Sequence, residues 1–193
     1  MWASAVELWV AGGFVMPFLF ACAGMLWYGL GWRLLTLHRG DRRPLSALLA
    51  AARSGEGLTT RGIIAPAVAQ LVQRGVGPHT HRSVLEELLG PFRATLLEHR
   101  VLVITIVAIA PLAGLLGTVT GMVETFRSLG EMALFTQGGG IAGGIGEALL
   151  TTQMGLAVSV PGVVVGRALD RRQARLEDEL DRLVELVRTE VAP

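Results

Sequence analysis

No lysine occurs in this 193-residue chain; all 17 of its basic residues are arginine. A phosphate loop needs its lysine, and the glycines of GGGIAGGIG (138–146) follow no strand pattern, so a nucleotide site of that kind is excluded. Cysteine is reduced to Cys22, which sits inside an apolar run and allows neither a disulfide framework nor a multi-cysteine metal site. Charge is scarce as well: 17% of residues are charged, against roughly 25% in soluble domains. With 51% hydrophobic residues and a mean hydropathy of +0.52, the composition points to a membrane protein. A net charge of +1 gives no sign of a nucleic-acid partner.

The scarce polar residues also fall in telling places. Asp41, Asp170, Asp178 and Asp181 lie outside the apolar runs, which excludes an intramembrane protease built on paired aspartates. His38, His79, His81 and His99 lie outside them too, so no serine–histidine–acid set is available at membrane depth. His79-Thr80-His81 resembles half a metal site, but without cysteine or acidic ligands nearby a pair of surface histidines is the simpler reading. Neither an enzyme nor a bound cofactor or metal is expected.

What the chain does have is three apolar runs. The first, Leu8 to Trp32, holds no charge between Glu7 and Arg33 and is long enough to cross a bilayer. All four tryptophans flank it, Trp2 and Trp9 at one end and Trp27 and Trp32 at the other, as in the aromatic belts of a spanning helix. No basic residue precedes the run, so a cleaved signal peptide is not expected, and Pro17 is positioned to kink it. No arginine precedes Arg33, whereas ten fall between Arg33 and Arg100. The positive-inside rule then puts the N-terminus outside and the following segment in the cytoplasm.

That segment, 33–100, reads as short helices between breaks. Pro44 opens SALLAAAR, and Gly55 and Gly57 close it. Residues 60–74 carry an apolar face broken by Pro66, and Gly75, Gly77 and Pro78 make a turn. Ser83 and Glu86 have capping-box spacing, opening a helix with Leu85, Leu88, Leu89, Phe92 and Leu96 at helical intervals. This helix is expected to run on into the membrane, bent near Gly90-Pro91.

The second run, Val101 to Val123, turns from bulky to small in APLAGLLGTVTGM, where Gly114, Gly117 and Gly121 permit close helix approach. Thr118 and Thr120 offer hydroxyls there, although bonding back to their own helix is the usual fate of such groups. Residues 124–137 read as a short outside connection. The third run spans Gly138 to Gly166, and Glu147 is its only ionisable residue. Gly143, Glu147, Thr151, Gly155 and Ser159 form a polar, small-sided stripe opposite Leu149, Met154, Leu156 and Val160. A charge near the bilayer centre costs at least about 2.5–3.5 kcal/mol, so Glu147 is the leading functional candidate; a carboxyl merely bonded at a helix contact is the plainer alternative. Pro161 can bend the inner half of this run, and four arginines from Arg167 to Arg175 mark the return to the cytoplasm. The tail, 169–193, is an amphipathic helix with Leu169, Leu176, Leu180, Leu183 and Val187 on one seam.

The expectation is an all-α integral membrane protein in four parts: 1–32, 33–100, 101–168 and 169–193. APLAGLLGTVTGM in the second run and GGIGEALLTTQMGLAVSVPGVVVGR in the third resemble the signature of the MotA/TolQ/ExbB proton channel family, closest to its ExbB branch. The likeness covers roughly 85–193 well, and the first run only in topology. It implies a bacterial inner-membrane homopentamer with a periplasmic N-terminus and a cytoplasmic C-terminus. The second and third helices would line a central pore enclosing a single-span ExbD-like partner, and proton flow would drive a TonB-like protein. By motif, Thr118, Glu147 and Thr152 match the family's pore-facing positions. The helical stripe puts Thr151 with Glu147, whereas the resemblance favours Thr152, which ranks above Thr151 as the pore-facing residue. Gly114, Gly117, Gly121, Gly143, Gly155 and Pro161 are the helix-packing candidates. A TolQ-like role in envelope constriction and a non-conducting scaffold are the competing readings.

Overall fold

A computed structural model of the chain describes residues 13–55, 57–58, 62–77, 79–132 and 139–189. Six helices appear among them: α1 Val15–Thr36, α2 Leu45–Arg53, α3 Ile64–Gln73, α4 Arg82–Leu97, α5 Arg100–Met132 and α6 Gly139–Thr189. Three helical stretches are long and apolar enough to cross a membrane: Val15–Thr36, Arg82–Gly130 and Ala142–Thr189. Trp2, Trp9 and the start of the first run lie outside the described residues, as do Pro78, 133–138 and 190–193.

The prolines sit where a helix tolerates them or is held by its surroundings. Pro17, expected to kink α1 in mid-span, falls in its first turn, where a missing N–H removes no helical bond. Pro66 likewise lies in the first turn of α3 and opens that helix rather than breaking it. Pro44 stands at the N-cap of α2, and Gly55 (φ 76°) follows its end.

Several sequence expectations are corrected. The Ser83–Glu86 capping box does not form: His81 is the N-cap of α4 without a side-chain bond, and Glu86 instead accepts from Arg82 Nε at 2.6 Å. That bond pushes the Arg82 guanidinium above its ordinary pKa. The helix of Leu85 does not run unbroken into the second span. Glu98 is extended (ψ 136°) and His99 left-handed (φ 58°), which ends α4 before α5 begins. The stretch read as an outside connection from Glu124 is helical through Met132. Finally, the third span and the tail are one helix of 51 residues, passing through Pro161.

The chain divides into two compact units, one of residues up to Leu30 with Val101–Gly166, the other of Gly31–Arg100 with the residues from Arg167 onward. In the second unit α2 packs on α3, and α3 on α4. Leu48, Leu49, Ile64, Val68, Leu71, Leu85, Leu89 and Leu96 are buried there, together with the tail seam of Leu169, Leu176, Leu180, Leu183 and Val187. Its most buried charge is Arg33, 1% exposed. Arg33 Nη2 donates to Asp170 Oδ1 at 2.9 Å and to Gln173 Oε1 at 2.8 Å. Arg100 Nε stands 3.4 Å from the same Asp170 oxygen. In the first unit the buried residues include Met16, Leu19, Leu26, Val103, Ile106, Ala110 and Ala148.

Candidate functional site

Glycines on α5 and α6 let the two helices meet backbone to backbone within the first unit. A Cβ placed on Gly114 would stand 2.9 Å from the Thr151 carbonyl oxygen, and one on Gly121 2.6 Å from that of Gly144. On α6, a Cβ on Gly155 would come within 2.7 Å of the Ala110 carbonyl. Real Cβ atoms do not approach so closely, so glycine is required for this spacing. Gly117 faces the Thr151 side chain at the centre of the seam. Gly143, by contrast, is exposed, with open space where a side chain would go. The glycine at that level of the contact is Gly144, packed on Thr125 and Gly121. The GG pair at 143–144 signals close packing in the sequence but does not say which member provides it. Pro161 is half-buried within α6.

The threonine hydroxyls are engaged by their own helices. Thr118 Oγ1 donates to the Leu115 carbonyl at 2.6 Å, and Thr120 Oγ1 to that of Gly117 at 2.9 Å. Thr151 is fully buried, its hydroxyl 3.0 Å from Glu147 O and 3.1 Å from Ala148 O. Thr152, half-buried at the edge of the seam, has Ala148 O at 3.2 Å and, across the seam, Gly114 O at 3.5 Å. A hydroxyl whose one proton is spent on a backbone carbonyl still presents its lone pairs. Thr118, Thr120 and Thr152 therefore offer acceptors, not donors, to a neighbouring group, whereas Thr151 is sealed within the seam.

Glu147 is half-buried. Its carboxyl occupies the space that a side chain on Gly13 would need: a Cβ there would overlap Oε1 and Cδ. Gly13 is also left-handed (φ 59°) in the turn before α1, and this backbone conformation, rather than the movable carboxyl, calls for glycine here. Sequence reasoning missed Gly13, because nothing local to it refers to a residue 134 positions on (147 minus 13). The site thus brings Glu147, Thr151, Thr152, Gly114, Gly117, Gly121 and Gly155 into one unit, with Thr118 one turn of α5 from Gly114.

The outward faces are apolar. Leu112, Leu115, Val119, Leu149 (68% exposed), Leu156 and Val160 face outward, and apolar surface of this extent on a soluble protein would mark an interface. On a spanning helix it is the surface that lipid or a neighbouring helix covers.

A family model described as the MotA/TolQ/ExbB proton channel family matches residues 58–182. An ExbB-like protein of Synechocystis sp. (ExbB-like 1) is 40% identical over 116 residues, covering 58% of this chain and 44% of its own length. A second Synechocystis protein, ExbB-like 3, is 35% identical over 121 residues, 61% of this chain and 58% of the relative. The biopolymer transport protein exbB1 of Vibrio cholerae is 39% identical over 77 residues, 38% of this chain and 34% of the relative. The chain thus spans about half the length, or less, of these curated relatives.

Proposed function

The chain belongs to the MotA/TolQ/ExbB proton channel family and is a multi-pass membrane protein; on that premise we propose that it is the channel-forming subunit of an ExbB-type proton-driven motor. In this reading it sits in a bacterial inner membrane with its N-terminus in the periplasm and its C-terminus in the cytoplasm. Copies assemble as a homopentamer around a pore that holds an ExbD-like span, and the proton motive force drives a TonB-like protein.

The observation that carries the proposal is Glu147. It is the one ionisable residue between Arg127 and Arg167 outside the unspanned Glu131, and it lies within an apolar unit where a permanently charged group would be costly. A carboxyl so placed can take up and release a proton, and the threonine oxygens nearby supply acceptors that order water or a protonated carboxyl. The membrane potential supplies about 2.3 kcal/mol per charge per 100 mV, enough to bias each transfer. A single carboxyl is a short relay, and the other acids of the chain lie outside the three apolar runs. The partner span therefore carries a second carboxylate, and Glu147 sets the field around it.

The test is proton flux in liposomes containing this chain with its single-span partner. Glu147→Gln should abolish most of the flux while the complex still assembles; undiminished flux and coupling reject the proposal. A non-conducting scaffold has one observation in its favour, since the glycine seam alone accounts for α5–α6 packing. It predicts that Glu147→Leu is harmless. A TolQ-like role shares the membrane machinery and differs in its partners, which co-purification distinguishes.

A further inference from the structure

The second unit contains a basic cavity of about 300 Å³ that the channel reading does not use, lined by Leu37, His38, Arg39, Arg172, Arg175, Leu176 and Glu179. Its floor is apolar, with Leu37 and Leu176 both buried. On its rim Arg39 is neutralised by Glu179, Nε to Oε2 at 2.6 Å. Arg172 and Arg175 are different. Arg33, Arg39, Arg82, Arg93 and Arg100 each have a carboxylate within ion-pair distance, whereas these two have none among the described residues. The cavity therefore carries a surplus of two positive charges.

Its position along the helices suggests the source of the matching anion. Arg172 lies five residues beyond Arg167, the first charge after the third apolar run, which is about 7.5 Å along α6. Helical side chains lean toward the N-terminus, so both arginines slant back toward the apolar part of their own helix. On α1, Trp32 is exposed, as an interfacial tryptophan is, and His38 follows it by six residues. A cationic rim over an apolar floor, about one and a half to two and a half helical turns beyond the third apolar run, matches a phosphodiester with acyl chains attached. We infer that this cavity binds the headgroup phosphate of an anionic phospholipid from the inner leaflet.

The full-length chain, purified in mild detergent and offered mixed phosphatidylglycerol and phosphatidylcholine, is assayed by native mass spectrometry for the lipid it keeps. Wild type should retain phosphatidylglycerol preferentially. Arg172→Gln/Arg175→Gln should lose roughly 30-fold in that preference, from about 1 kcal/mol per surface arginine. Arg172→Lys/Arg175→Lys should keep most of it, showing that the site still folds, and Arg74→Gln/Arg188→Gln, which removes equal charge elsewhere, should keep all of it. The inference is overturned if wild type shows no preference or if the Gln pair matches wild type. Displacement of the lipid by an equal concentration of inorganic phosphate would also overturn it, because the anion would then come from solution.

Discussion

Gly13 and Glu147 meet in the membrane-spanning unit, where a side chain on the first would need the space that the carboxyl of the second now fills. Gly13→Ala should therefore displace the Glu147 carboxyl and lower proton flux in the liposome assay. Gly55→Ala is the control, since Gly55 is also left-handed (φ 76°) but has open space around it, so it reports backbone strain alone. Adding Glu147→Asp, one methylene shorter, to Gly13→Ala should recover part of the lost flux. Equal flux in wild type and Gly13→Ala would show that this contact does not set the carboxyl's position. Glu147 itself stood out in the sequence by isolation, a lone acid in an apolar run. Its neighbour did not, because a contact between distant positions leaves no periodic trace in either segment.

For the helices, the seam between α5 and α6 makes a prediction that separates adjacent glycines. Gly121→Ala and Gly144→Ala force a Cβ against backbone carbonyls that cannot swing aside, and should destabilise the fold by about 1–3 kcal/mol. Gly143→Ala meets open space and should change stability by less than about 0.5 kcal/mol. Thermal unfolding of the three variants in one detergent checks the contrast; equal losses would mean the helices meet on another face. The apolar runs and the heptad-like tail seam were legible because period and length are local properties, and Leu169, Leu176, Leu180, Leu183 and Val187 are indeed buried. Helix ends were less so. The break at Glu98-His99 contains neither glycine nor proline, and the expected signals at Ser83 and Glu124 were outweighed, at Ser83 by Arg82 taking Glu86 and at Glu124 by α5 simply continuing. A residue in the left-handed region without glycine chemistry is held there by its surroundings, which a sequence window does not contain.

Across the molecule, Arg33 is the most buried charge among the described residues, and it bonds Asp170 and Gln173. Asp170→Asn should cost about 1–3 kcal/mol, because the buried guanidinium loses its carboxylate but keeps Gln173, and Asp170 is itself partly exposed. Arg33→Leu/Asp170→Leu should cost less than the single change, since removing both charges removes the desolvation penalty too. Melting temperatures of the two variants decide this; a double variant weaker than the single would show that the pair contributes net stability. A guanidinium cannot shed its proton to escape burial. Its carboxylate lies 137 residues downstream, so burying Arg33 against that partner requires the last long helix to have been made. A chain truncated before Asp170 would lack that carboxylate, so Arg33 would either stay in water or be buried uncompensated.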